Sequence, residues 1–61
     1  MLKEVIEWFG SQAKLARALQ VHRAAVSHWA ARGWLPPKRA VEIEMLSGGK
    51  FKAVDLTKTK D

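Results

Sequence analysis

The sequence predicts an all-α domain of about five short helices, because apolar residues recur at helical spacing in successive segments. Two further observations support that class. Gly10, Gly33 and Gly48-Gly49 punctuate the segments where helices should stop. Pro36-Pro37 opens the fourth segment, a poor start for a paired strand but a good start for a helix, whose first N–H has no partner to lose. A β-hairpin after Gly33 is the competing arrangement, and the helical period of Ala40, Ile43 and Leu46 argues against it.

The first helix spans residues 2–9, with Leu2, Ile6 and Phe9 facing inward and Val5 and Trp8 widening the stripe. Ser11 is suited to cap the second helix, since its hydroxyl accepts from a free N–H of the first turn. That helix covers 12–19, with Leu15, Ala16 and Leu19 inward. A third runs from about Arg23 to Ala31, burying Ala25, Val26 and Trp29 and exposing Arg23, Ala24, Ser27 and His28. The fourth covers 37–46, with Ala40, Ile43 and Leu46 on one face and Val41 and Met45 beside it. After Gly49, Phe51, Val54 and Leu56 fit either a helical turn near 53–56 or a short strand. Residues 1–57 are expected to form one domain and 58–61 a frayed tail.

A chain of 61 residues is small. It buries only about 60% of the surface its unfolded form exposes, so the core must be efficient or a partner must help. Cysteine is absent, which removes disulfides and thiolate metal sites as supports. No apolar run reaches the ~18 residues of a membrane span, and no targeting segment is visible. The expected location is the cytoplasm.

The net charge is +5 and the isoelectric point is near 10.1. Its distribution says more. Between Ser11 and Arg39 there is no Asp or Glu, while Lys14, Arg17, Arg23, Arg32, Lys38 and Arg39 all lie inside. Glu4, Glu7, Glu42, Glu44, Asp55 and Asp61 lie outside. One sign spread over consecutive elements is the footprint expected for a polyanion, although a merely basic solvated surface has the same composition.

The second and third helices meet the demands of a helix-turn-helix. Such a pair crosses steeply through a tight turn, so it needs a small residue at the crossing, apolar locks and an acid-free outer face. Ala16 is the small residue; Leu15, Leu19, Val21, Val26 and Trp29 are the locks. The run FGSQAKLARALQVHRAAVSHWAARG resembles the helix-turn-helix of the Cro repressors of lambdoid bacteriophages, and of the related Cro-like antitoxin regulators of prophages. The continuation GWLPPKRAVEIEMLSGGKFKAVDL is similar to the fourth helix and following turn of the all-helical Cro branch. One departure is Gln20, at a turn position often held by Gly. If φ is positive there, Gln costs roughly 1 kcal/mol relative to Gly.

The resemblance implies a lambda-repressor-like DNA-binding domain whose second motif helix enters the major groove. Carried onto this chain, it makes Arg23, Ala24, Ser27 and His28 the base contacts. Arg23 has the fork for guanine, Ala24 a methyl for thymine, and Ser27 a permissive hydroxyl; His28 donates to a base acceptor or reaches a phosphate. Phosphate contacts are expected where helices begin and where cations flank them: Ser11, Gln12, Lys14, Arg17, His22, Lys38 and Arg39. Arg17 and Arg32 fit solvated charges equally well.

The implied function is repression by operator binding as a homodimer on a pseudo-palindrome, since one short helix covers few base pairs. Trp34, Met45, Phe51 and Val54 are candidates for the dimer surface, with Trp34 and Phe51 fitting satellite core positions too. Two rival readings are an antitoxin-type regulator that also binds a toxin, and a protein-interaction module with a basic face. No cofactor, metal, membrane or small-molecule substrate is expected. His22 and His28 are six residues apart, about 240° around a helix, and do not share a face. Ser27, His28 and Asp55 supply hydrolase residue types without a buried setting for them, so no enzyme activity is expected.

Overall fold

The computed structural model describes residues 2–57. The expected fraying over 58–61 lies outside the described residues. Five helices follow one another: α1 (Leu2–Phe9), α2 (Gln12–Leu19), α3 (Arg23–Arg32), α4 (Pro37–Leu46) and α5 (Ala53–Leu56). The arrangement is all-α.

Local chemistry sets each boundary. Gly10 closes α1 at φ 114°, its N–H donating to the Ile6 carbonyl at 2.9 Å. Ser11 caps α2, its Oγ accepting from the Lys14 N–H at 3.1 Å. At the other end of α2, Gln20 adopts φ 60° and ψ 44°, so the condition under which Gln costs energy at this turn is met. The Val21 N–H then reaches back to Ala16 O at 2.9 Å and the Gln20 N–H to Arg17 O at 3.1 Å, the paired bonds of a Schellman ending. Gly48 and Gly49 end α4 in the same way, their N–H groups donating to Met45 O at 3.2 Å and Glu44 O at 2.9 Å.

The core draws on every helix. Leu2, Val5, Leu15, Ala16, Leu19, Val26, Trp29, Leu35, Ala40, Ile43, Phe51 and Leu56 are buried together, with Ile6, Phe9, Val21, Ala25 and Ala53 packed against them. Ala16 lies in that core, on the helix that packs against α3.

The segment after Gly49 combines both conformations considered for it. Residues 53–56 are helical, and Thr57 makes an isolated parallel bridge with Leu35. The Leu35 N–H donates to Leu56 O at 2.8 Å, and the Thr57 hydroxyl donates to Leu35 O at 2.6 Å. Glu44 accepts the Ala53 N–H at 2.8 Å, serving as a carboxylate cap for a four-residue helix.

Three expectations need correction. Phe51, a candidate for the dimer surface or a satellite core position, is 5% exposed and takes the core position, its ring centroid 6.1 Å from that of Trp8 in an edge arrangement. The glycine reversal after α4 turns the chain back and carries it inward. Leu46, expected in the core, is 50% exposed. Steps of three residues drift around a helix, so Leu46 stands about 120° from Ala40. Trp8, expected on the buried stripe, is 46% exposed and covers Phe9 and Phe51 edge-on.

Candidate nucleic-acid interface

The outer face of α3 is the centre of the candidate site. Arg23, Ala24, Ser27 and His28 are all exposed, while Val26 and Trp29 anchor the opposite side. Measured from Arg23, helical phase places Ser27, Ala24 and His28 within an arc of about 140°. Ala31 is also exposed and falls in the middle of that arc. Sequence reasoning passed over it, although its position four residues after Ser27 was signal enough. A methyl at the centre keeps the arc shallow between longer side chains.

A side-chain bond joins this face to the start of α2. The Ser27 hydroxyl donates to Gln12 Oε1 at 2.7 Å, across fifteen positions of sequence. With its proton committed there, Ser27 faces outward as an acceptor, suited to an exocyclic amino group rather than a carbonyl. The same bond sets Gln12 beside the reading face, and no periodicity in the sequence reveals it.

The expected phosphate contacts divide into three settings. Ser11 and Gln12 open α2; because Ser11 Oγ takes the Lys14 N–H, the N–H groups of Gln12 and Ala13 are the ones an anion would meet. Lys14, Arg17, His22 and Lys38 are exposed. The Lys14 stem folds over Gly10 so closely that a Cβ there would lie 2.8 Å from its Cδ. Arg39 is held differently. Its guanidinium pairs with Glu42 Oε1 at 2.9 Å and leans towards Leu19 O at 3.4 Å, so part of its hydrogen-bonding capacity goes to the α2–α4 junction.

The remaining dimer candidates keep their exposure in part. Met45 is 75% exposed and Val54 62%, whereas Trp34 is half-buried beside Arg32. Among the described residues, no helix is long and apolar enough to cross a membrane, and no three His, Asp or Glu residues converge as metal ligands.

A family model described as the DNA-binding transcriptional regulator Cro matches residues 2–60. The chain belongs to the Cro family. It is 40% identical over 50 residues to the regulatory protein Cro of Salmonella phage P22, an alignment covering 82% of this chain and 79% of that protein. No solved structure matches the chain. The family is one of DNA-binding transcriptional regulators.

Proposed function

We propose that this Cro-family chain represses transcription by binding a pseudo-palindromic operator, with α3 in the major groove. One observation carries the reading: Arg23, Ala24, Ser27 and His28 share one exposed face of α3, inside a stretch from Ser11 to Arg39 that holds no acid. A duplex with its dense negative charge is attracted to such a face, and the mixture of fork, methyl, hydroxyl and imidazole on it discriminates bases. Arg23 reads guanine, Ala24 meets a thymine methyl, Ser27 accepts from a base amino group and His28 donates at the far side.

Register comes from the backbone. The α2 N-terminus at Ser11 and Gln12 takes a phosphate oxygen, Lys14, Arg17 and His22 flank it, and Lys38 grips from the start of α4. Arg39 contributes after sharing its guanidinium with Glu42. Residues 1–57 act as one binding domain in the cytoplasm of a bacterial host.

Two copies bind together, because one α3 of ten residues spans few base pairs. The exposed Met45 and Val54, with the half-buried Trp34, form the surface between them. In vitro selection from a random duplex library, read by sequencing, tests the proposal. The expected product is an inverted repeat with half-site centres about 10 base pairs apart. A library that enriches no motif would sink it.

A further inference from the structure

Arg32 ends α3 about 40° outside the arc of the reading face. Its guanidinium carbon lies 3.6 Å from the centroid of the Trp34 ring, and its Nε–H donates to the Trp34 carbonyl at 3.0 Å. Two contacts of different kinds, both from one residue, therefore hold a side chain that is otherwise exposed. The support is rigid in turn. Trp34 leads directly into Leu35, which is fully buried and tied to the last helix through both its N–H and its carbonyl.

Charge is the second consideration. The one ion pair among the described residues joins Arg39 to Glu42, so no carboxylate among those residues neutralises Arg32. A long cation that is ordered, exposed and unneutralised is arranged to receive an anion. Its ordering is already complete before any ligand arrives, which lowers the cost of binding. Stacking on an aromatic ring also leaves the terminal amino groups of the guanidinium to form a planar fork, the geometry that matches phosphate oxygens.

Position selects the ligand. By helical phase Arg32 lies about 40° beyond His28, outside the reading arc and about 180° from Arg23, and one turn further along than His28. It is about 13 Å from Arg23 along the axis, close to the ~12 Å width of the major groove. When Arg23 meets base edges, the far end of α3 is at the groove rim, where the sugar–phosphate strand runs. We infer that Arg32, pre-set by Trp34, is a phosphate grip that holds the duplex backbone at the C-terminal end of α3. This inference rests on the operator-binding reading above.

The test measures binding of the full chain to two duplexes of equal length, the selected operator and a scrambled sequence, by fluorescence anisotropy between about 50 and 200 mM salt. Far-UV circular dichroism confirms that each variant is folded. Arg32→Ala should weaken both duplexes by a similar factor, roughly tenfold, and lower the salt slope by about one unit. Arg32→Lys and Trp34→Leu retain the charge, so they should keep the slope while losing several-fold in affinity. Replacing individual phosphates by neutral methylphosphonates should reveal one position at which wild type and Arg32→Ala become equal.

A folded Arg32→Ala variant with unchanged affinity and slope overturns the inference, leaving Arg32 as a clasp on the α3–α4 connector. Loss confined to the selected operator overturns it too, since Arg32 would then be reading a base. Trp34→Leu or Arg32→Lys behaving as wild type would remove the pre-setting. Should wild type bind both duplexes alike, the operator reading fails instead, while the change in slope still reports the grip.

Discussion

Replacing Gln20 by glycine should stabilise this protein without touching a core contact. Gln20 is the one non-glycine residue with positive φ among those described, at φ 60° and ψ 44°. An L-residue there brings Cβ against the following carbonyl oxygen, at a cost of roughly 1–2 kcal/mol. Glycine removes that clash but loses about 0.5–1 kcal/mol through the greater freedom of its unfolded backbone. The difference favours glycine by roughly 0.5–1 kcal/mol. For a domain of this size such a gain raises Tm by about 2–8 °C. The Schellman bonds from Gln20 and Val21 use backbone N–H groups only, so the substitution leaves them intact. Urea and thermal unfolding followed by circular dichroism at fixed protein concentration would measure the effect, with an unchanged m value. Gln20→Ala is the control: it removes the exposed side chain but keeps Cβ, and should stay within about 0.5 kcal/mol of wild type. If the glycine variant is no more stable than the alanine variant, backbone strain at this turn is not the governing term.

Three other substitutions probe separate parts of the account. Arg23→Ala should cost about 1–3 kcal/mol of operator affinity and relax choice at one base position, read by repeating the site selection; equal weakening of every sequence would instead make Arg23 a backbone contact. Lys38→Ala should weaken all duplexes alike and lower the salt slope by about one unit in a titration at several ionic strengths, and an unchanged slope would remove Lys38 from the interface. Leu56→Ala deletes a side chain that is 2% exposed, so urea unfolding should show a loss of about 2–5 kcal/mol. A loss below about 1 kcal/mol would mean that the segment after Gly49 is peripheral to the core.

Most of the fold was legible because its signals are local. Ser11, Gly10, Gly33 and the Gly48-Gly49 pair mark helix ends through hydrogen bonds that span three to five residues, Pro37 marks one by having no N–H to leave unpaired, and each acts where it was expected. Gln20 stands at a turn position often held by Gly, and its φ is indeed positive. Exposure of the four candidate base readers follows from helical phase alone. Phase was also enough to find Ala31, which was passed over only because it lies beyond the first turns of α3.

What the sequence by itself determined is thus a basic helix-turn-helix with its caps, its acid-free stretch and its outer α3 face. Tertiary structure alone decided the rest. Whether Phe51 is core or surface depends on where the reversal after α4 sends the chain, and it sends it inward. Trp8 is half exposed because the neighbours that would cover it are set by docking, not by period. Ser27 becomes an acceptor only because α2 brings Gln12 within 2.7 Å of it. Arg39 is drawn partly inward by Glu42, and Arg32 is held outward by Trp34. The physical reason is common to these cases. A cap or a helical phase is a property of a few consecutive dihedral angles, whereas side-chain partnership depends on how packed helices place their surfaces, and no local periodicity encodes it. The helix-turn-helix could be read from the chain; the hydrogen-bonding state of each of its polar side chains could not.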